Sequence, residues 1–415
     1  MKLLLLFGLY LCLVNSLSLP FAKDSVALFK DNKGKDRLIK LGPNDYRIVT
    51  EEEKLDLKAK NIKFIDITNQ VPVDVAVEQG LILKPSPVSF LRSLFLSGAK
   101  QINVLKKPVP TYKYPEIVKA NKSILGLYEK IDTDLMFEKL SKFTSFYTRY
   151  YKSESGLESA DWLYQQILDI IEPIKNEVNI TKVDHVEWDQ YSIIVSIPGK
   201  GTTDKVIVGA HQDSTNLLFP NLMKAPGADD DGSGTVTILE SFRILVEAYV
   251  AKKFVPYNTL EFHWYSAEEG GLLGSIDVFS KYASQDEVVV GMLQQDMTGY
   301  TAGTISAGVE PHFGLITDYT SVGLNEFLKS VINVYNSIPY HESSCGYACS
   351  DHASALENGY PSAFLIESEM KYTNKYIHSV MDTVDRLDWD HIKEHVKLTI
   401  AYAYELSLAT EVNQK

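Results

Sequence analysis

The 415-residue sequence predicts an α/β protein with a mostly parallel central sheet and helices on both faces of that sheet. Two observations lead to this fold class. From residue 205 onward, short β-branched runs alternate with stretches of helical apolar spacing, as in parallel strands joined by crossover helices. Hydrophobic residues make up 45% of the chain and charged residues 23%. That balance supplies a sizeable core and excludes a disordered chain, a collagen-like repeat and a polytopic membrane protein.

Residues 1–18 have the pattern of a secretory signal peptide. Lys2 precedes an apolar run from Leu3 to Val14, and small residues follow that run. The run is too short to span a bilayer, and a buried N-terminal helix or strand is the alternative interpretation. The pattern predicts a secreted, extracellular protein without a membrane-spanning part.

Residues 19–107, called the front segment below, differ in charge from the body of the chain, residues 108–415. The front segment has 16 Lys and Arg against 11 Asp and Glu, a net charge of +5, whereas the body has a net charge of −19. The pair Lys106-Lys107 and a Pro-rich stretch mark the junction. We interpret the front segment as a removable pro-segment that lies against the acidic body and inhibits it; a permanent small domain is the alternative. The total charge of −13 argues against nucleic-acid binding.

The body begins its alternating pattern with three strand-like runs. Lys205–Ala210, Thr259–Tyr265 and Val288–Leu293 are β-branched or alternate in polarity. Helical spacing separates them, over Thr235–Val250 and again after Gly270-Gly271. The order strand, helix, strand, helix, strand predicts neighbouring parallel strands.

The mature chain would keep two cysteines, Cys345 and Cys349. In an oxidising compartment such a pair predicts one tight disulfide, with zinc ligation as the alternative. The sequons at Asn121 and Asn179 are candidate glycosylation sites in the same secretory context.

Five segments rich in His, Asp and Glu follow the ends of predicted strands or open loops. They contain His211 and Asp213, Asp229 to Asp231, Glu268 and Glu269, Asp296, and His378 with Asp382. Loops at the carboxyl ends of parallel strands converge, so these side chains can meet. Two histidines with several carboxylates suit zinc, and one carboxylate could bridge two ions. Each segment alone could be a helix cap or a satisfied core residue, but five together favour a metal centre.

In this order the five segments resemble the co-catalytic two-zinc aminopeptidases of peptidase family M28. The likeness is to the secreted leucine aminopeptidases of fungi and their bacterial relatives, and it extends from about Tyr114 to the C terminus. It includes the stretch from Cys345 to His352. The resemblance implies a zinc-exopeptidase fold and two Zn²⁺ ions per chain.

The resemblance also implies a role for each matching residue. His211 and Asp296 would hold one zinc ion, Glu269 and His378 the other, and Asp230 would bridge the two. Glu268 would be the catalytic general base. Two residues from His211, Asp213 is placed to orient the imidazole ring.

An apolar pocket for a leucine-like side chain is the last part of the predicted site. The resemblance makes the Cys345–Cys349 loop a pocket wall with Tyr347 beside the site. The candidate lining residues, which could equally be ordinary core, are Met297, Phe364, Ile366, Met370 and Ile377.

Other functions fit the sequence less well. His391, Glu394 and His395 match an inverted zincin pattern, but the apolar stripe of their predicted helix would leave them near its polar face. Glutaminyl cyclase, a one-zinc transferase of similar fold, shares part of the ligand set. A non-catalytic binding ectodomain would be expected to have lost ligands. No metal is assigned to the remaining histidines, His185, His263, His312, His341 and His352.

Taken together, these observations predict a secreted zinc aminopeptidase that is made as a zymogen and works as a monomer. Its substrates would be peptides with a free N terminus, from which it would release leucine or other large apolar residues. Hydrolysis would use a water molecule bridged by two zinc ions.

Overall fold

The computed structural model describes residues 36–43, 45–71, 73–78 and 108–413. The predicted signal peptide and the Lys106-Lys107 pair lie outside these residues. Within the described ranges, no helix is both long enough and apolar enough to cross a membrane.

The strands, numbered along the chain, are β1 (Arg37–Gly42), β2 (Asp45–Val49), β3 (Ile65–Asp66), β4 (Asn179–Val183), β5 (Ser192–Ile197), β6 (Lys205–His211), β7 (Thr259–Tyr265), β8 (Val289–Gln295), β9 (Phe313–Ile316), β10 (Tyr340–Ser343) and β11 (Ser362–Ile366). The α-helices are α1 (Glu51–Ala59), α2 (Val73–Glu78), α3 (Lys122–Tyr128), α4 (Thr133–Phe143), α5 (Glu154–Ile171), α6 (Gly234–Val250), α7 (Leu273–Ser284), α8 (Ala302–Ser306), α9 (Val322–Tyr335), α10 (His352–Glu357) and α11 (Trp389–Leu408). Shorter turns of helix are Glu172–Ile174, Ala228–Ser233, Val384–Arg386 and Glu411–Asn413.

Eight strands of the body form one sheet in the order β10-β9-β11-β8-β6-β7-β5-β4. The four central strands β11, β8, β6 and β7 are mutually parallel, while β4 and β5 add an antiparallel edge. At the other edge, β9 runs antiparallel to β11 and parallel to β10. The predicted α/β class with a mostly parallel sheet is confirmed.

Apolar side chains on both faces of the central strands hold the helices in place. In β6, Val206, Val208 and Ala210 belong to the large cluster under α6 and α11, whereas Ile207 belongs to the cluster under α7. Successive strand residues point to opposite faces, so a strand buried on both sides is apolar throughout.

The sequence-based prediction for the polar residues of helix α11 was wrong. His391, Glu394 and His395 are buried, not near a polar face, because α11 packs against both α6 and α9. The three side chains have separate partners: His391 contacts the Glu367 carbonyl, His395 contacts Gln295, and Glu394 accepts from Asn336 and Ser337. They do not form a shared zincin-type site.

The described part of the front segment has its own small sheet, β2-β1-β3, with α1 beside it. A reciprocal capping box between Thr50 and Glu53 starts α1. In β3 of this small sheet, the buried Asp66 carboxylate is 2.8 Å from Arg37 Nε and 2.7 Å from Lys54 Nζ. Burial alone would raise the pKa of Asp66, but these two cations lower it to about 2.

The two sequons lie on helix and strand termini. Asn121 is half-buried and its side chain caps α3 by accepting from the Ser123 N–H. Asn179 is exposed at the first position of β4. Exposure makes Asn179 the more accessible acceptor, and glycosylation of either stays a prediction.

Candidate metal centre

Three neighbouring parallel strands bring the predicted ligands to one edge of the sheet. β6 ends at His211, which pairs in register with Tyr265 at the end of β7. Glu268 and Glu269 follow β7 directly, and Asp296 follows β8. The loops after parallel strands leave the sheet on the same side, so residues far apart in sequence meet there.

Asp230 lies at the middle of the cluster. Its Oδ1 atom is 3.1 Å from His211 Nε2, and its Oδ2 atom is 3.0 Å from His378 Nε2. His211 Nε2 is also 3.6 Å from Asp296 Oδ1, and His378 Nε2 is 3.2 Å from Glu269 Oε2. Each oxygen of Asp230 therefore faces a different His–carboxylate pair.

The donor atoms fit a pair of bound cations. Two sets have ligand atoms within 4.8 Å of one another: Asp230 with Glu269 and His378, and His211 with Asp231 and Asp296. Glu269 Oε1 and Asp296 Oδ1 are buried without a hydrogen-bond partner among the described residues. Buried carboxylate oxygens are costly unless paired, and imidazole with carboxylate is a donor set suited to zinc.

Asp231, a member of the second set, already has other partners. Its carboxylate accepts from the backbone N–H groups of His211, Met297 and Gly234, at 3.0, 3.1 and 2.9 Å. It thereby ties the ends of β6 and β8 to the start of α6. The role of Asp231 could not be predicted from the sequence, because its donors are backbone groups that no motif reveals.

Asp213 contacts both sides of the cluster. Its Oδ1 atom is 3.3 Å from His211 Nδ1, and its backbone carbonyl is 3.1 Å from the same nitrogen; the orienting role stays a prediction. Its carboxylate also accepts from the backbone N–H groups of Glu268 and Glu269, at 3.0 and 3.1 Å. One side chain therefore positions a histidine and the Glu-Glu turn together.

Arg149 supplies a buried positive charge beneath the acidic residues. Its guanidinium donates to the backbone carbonyls of Gln212, Pro226 and Gly227. Burial lowers the pKa of Arg149 to about 10, so the group is still charged at neutral pH. The sequence analysis missed Arg149, since it lies outside all five acidic segments.

Glu268 and Glu269 differ in pKa although they are adjacent. Burial raises the pKa of Glu268 to about 7, since a desolvated carboxylate is disfavoured. Burial acts on Glu269 in the same direction, but the charges of His378 and Lys58 outweigh it and lower the pKa of Glu269 to about 2. The two neighbouring carboxylates thus differ in their affinity for a proton.

Lys58 reaches this site from the last turn of α1 in the front segment. Its Nζ atom is 2.6 Å from Glu269 Oε2 and 3.6 Å from Glu268 Oε2, and its side chain is only 15% exposed. The Asp66 backbone N–H donates to the Gly271 carbonyl, and Ile65 packs with Leu272. The described part of the front segment is therefore docked on the turn that carries both glutamates.

Most of the predicted pocket residues gather in one apolar cluster. Met297, Phe364 and Ile366 are buried together with Ile316, which the sequence analysis did not name, and Met370 and Ile377 pack against them. Tyr347 packs elsewhere, with Ile65 of the front segment and Leu272.

The disulfide loop borders this cluster. Cys345 and Cys349 are bonded, as predicted, and pack against the apolar cluster. Ser350, the next residue, donates a 2.6 Å hydrogen bond to Asp296 Oδ2. The loop thus connects the apolar cluster to the metal centre.

The chain is similar to known aminopeptidases in both sequence and structure. The family model for peptidase family M28 matches residues 192–403. The chain is 48% identical to a probable aminopeptidase of Saccharomyces cerevisiae, over 89% of this chain and 92% of that protein. It is 46% identical to leucine aminopeptidase 1 of Coccidioides posadasii, over 90% and 89% of the respective chains. Among solved structures, the LapA aminopeptidase of Legionella pneumophila is similar with a TM-score of 0.72 and 27% identity, covering 92% of this chain and 97% of its own.

Proposed function

From the geometry of its metal centre we propose that the chain, which belongs to peptidase family M28 and is a zinc-dependent aminopeptidase, holds two zinc ions. We also propose that it releases leucine or other large apolar residues from the N termini of peptides. His211 and Asp296 would bind one ion, and Glu269 and His378 the other. Asp230 would bridge them.

The observation that supports two ions is the position of Asp230. Its two oxygens lie 3.1 and 3.0 Å from the Nε2 atoms of His211 and His378, so each histidine has its own carboxylate oxygen. A single ion would need only one of these His–carboxylate pairs. When bound, a pair of zinc ions would lower the pKa of a water molecule and stabilise the oxygens of the tetrahedral intermediate.

The residues of the chain would carry out the proton transfers. Glu268 is buried beside the ligand Glu269, and its backbone is fixed by Asp213. From there its carboxylate would take a proton from the attacking water and give it to the leaving amine. The surrounding carboxylates would favour a substrate whose α-amino group is cationic.

The apolar cluster beside Asp296 supports a preference for large apolar side chains. Met370 is half-buried in that cluster, whereas Met297, Phe364 and Ile366 are buried. We expect Met370→Ala to lower kcat/KM for a leucyl substrate by about tenfold and to change an alanyl substrate less, because a lost apolar contact is felt only by the larger side chain. Equal losses on both substrates, measured side by side, would place Met370 outside the pocket.

We also propose that the protein is secreted and that the front segment keeps it inactive until cleavage near Lys107. The N-terminal apolar run and the disulfide support passage through an oxidising compartment. Ion pairs between the front segment and the body support the inhibition. In these pairs Arg37 contacts Glu187, Lys40 contacts Glu357, and Lys58 contacts Glu269. The mass and N-terminal sequence of the protein in the culture medium would identify the mature form.

Lys58 would be the inhibitory contact, because its ammonium group lies at the carboxylates that a metal ion and a substrate amine would need. In the uncleaved chain we expect Lys58→Met to raise leucyl hydrolysis about tenfold, since a hydrogen bond between charged groups contributes about 1.5–3 kcal/mol. Lys60→Met, two residues away at an exposed position of the same helix end, is the matched control and should change nothing.

The same assay of leucyl hydrolysis distinguishes an inhibitory pro-segment from a permanent domain. If the uncleaved wild-type chain were as active as the cleaved one, the front segment would be a permanent domain and not an inhibitor. If cleavage activated the protein but Lys58→Met did not, inhibition would come from coverage of the site by the segment as a whole.

A further inference from the structure

A second cluster of donor atoms lies at the edge of the sheet and takes no part in the proposed reaction. This edge cluster consists of His312, His341 and Glu369, whose ligand atoms lie within 4.8 Å of one another. His312 precedes β9, His341 lies in β10, and Glu369 comes three residues after β11. Because β9 and β10 are parallel and β11 is antiparallel to β9, the end of β11 meets the starts of the other two strands.

The distances from the Glu369 carboxylate to the two histidines are close to those around a tetrahedral ion. Glu369 Oε2 is 3.6 Å from His312 Nε2 and 3.1 Å from His341 Nδ1. Ligands about 2.1 Å from a zinc ion in tetrahedral geometry are roughly 3.4 Å from one another. The other carboxylate oxygen, Oε1, is 3.1 Å from Lys371 Nζ, so Oε2 is the oxygen directed at the two rings.

His312 is already oriented as a metal ligand. Its ring is fully buried, and its Nδ1 atom is 2.8 Å from the Glu310 carbonyl. If Nδ1 donates to that carbonyl, the lone pair of Nε2 faces Glu369. A histidine ligand commonly donates its other nitrogen to a backbone carbonyl in this way. The contact of Nε2 with the Glu369 backbone N–H is long, at 3.4 Å.

The imidazole rings of His312 and His341 are stacked on each other. Their centroids are 3.9 Å apart with an angle of 25° between the planes. Burial lowers the pKa of His312, and the neighbouring His341 acts in the same direction. Only neutral imidazole binds a metal ion, so the lowered pKa favours binding by His312. His341, the exposed ring of the pair, would turn to direct its Nδ1 lone pair at the same ion.

We propose that His312, His341 and Glu369 form a separate binding site for a transition-metal dication such as Zn²⁺. Two nitrogens and one carboxylate oxygen favour zinc over magnesium or calcium. His341 is 45% exposed, which gives an ion a path from solvent and leaves room for water as a fourth ligand. The site does not depend on the proposed reaction.

An ion at the edge cluster would fasten strands that border the apolar cluster. The Met370 N–H donates to Ser343 Oγ at 3.1 Å, and Met370, next to Glu369, packs on Met297 and its neighbours. The ion would cross-link the starts of β9 and β10 to this segment. We therefore expect it to stabilise the folded protein.

The test uses full-length protein with its catalytic metal loaded, titrated with Zn²⁺ by calorimetry. Wild type should bind one additional zinc ion per chain, and His341→Gln and Glu369→Gln should each weaken that binding by more than about tenfold. The control is Glu342→Gln, adjacent to His341 but paired with Lys329, and it should bind as wild type does.

The position of the ion gives a second, independent readout. An anomalous-scattering peak between the three side chains in a zinc-soaked crystal of the wild type, absent in the His341→Gln crystal, would support the site. Identical zinc binding by all four proteins, or a peak elsewhere, would overturn the proposal and leave a hydrogen-bonded His–Glu pair.

Discussion

Glu268→Gln is expected to lower kcat for leucyl peptides by about 10²–10⁴-fold, the usual range for loss of a general base. Glutamine has nearly the same size but cannot take a proton from water. Because Glu268 lies outside both donor sets of the metal centre, zinc content should be unchanged. Its backbone N–H would still donate to Asp213, so the turn should keep its conformation.

The neighbouring substitution provides the matched control. Glu269→Gln replaces a predicted ligand, and its main effect should be loss of zinc. Metal analysis and kinetics on both variants separate the two roles. Loss of metal in Glu268→Gln, with metal retained in Glu269→Gln, would reverse the assignment of base and ligand.

Asp230→Asn should remove more activity than any other single ligand change, because Asp230 is the carboxylate that faces both histidines. We expect zinc content to fall and kcat/KM to drop by about 10³-fold or more, since bound metal contributes several kcal/mol to such reactions. Equilibrium dialysis against zinc followed by metal analysis measures the first effect, and leucyl hydrolysis the second.

Folding must be separated from metal binding in this experiment. Thermal unfolding of wild type and Asp230→Asn in the presence of a chelator compares the two proteins without metal. Similar midpoints would show that the loss concerns the ion and not the fold. Full zinc content in a folded Asp230→Asn protein would contradict the bridging role.

Of the four central strands, β6, β7 and β8 were predicted, because their β-branched or alternating runs are recognisable in the sequence. The alternating run Thr259–Tyr265 can be recognised without its partner strands, and the observed β7 has these bounds. The edge strands were not predicted, since β4 and β10 are short and partly polar. Their pairing is set by tertiary contacts that a local pattern does not contain.

The residues of the candidate site were also only partly recognisable from the sequence. The acidic and histidine segments were recognisable by residue type, and the structure brings His211, Asp230 and His378 together. Arg149 and Lys58 were not recognisable, because each reaches the site from a distant segment with no motif of its own. The expectation that His391 lies near a polar face was wrong, because α11 is enclosed by other helices.

The most direct test of the two-ion site is the number of zinc ions per chain, measured together with leucyl hydrolysis on cleaved protein. The His341→Gln background excludes a contribution from the edge cluster. We expect two zinc ions per chain and an activity that a chelator abolishes and zinc restores. One zinc ion per chain at full activity would contradict the bridged pair, and activity without metal would contradict the mechanism as a whole.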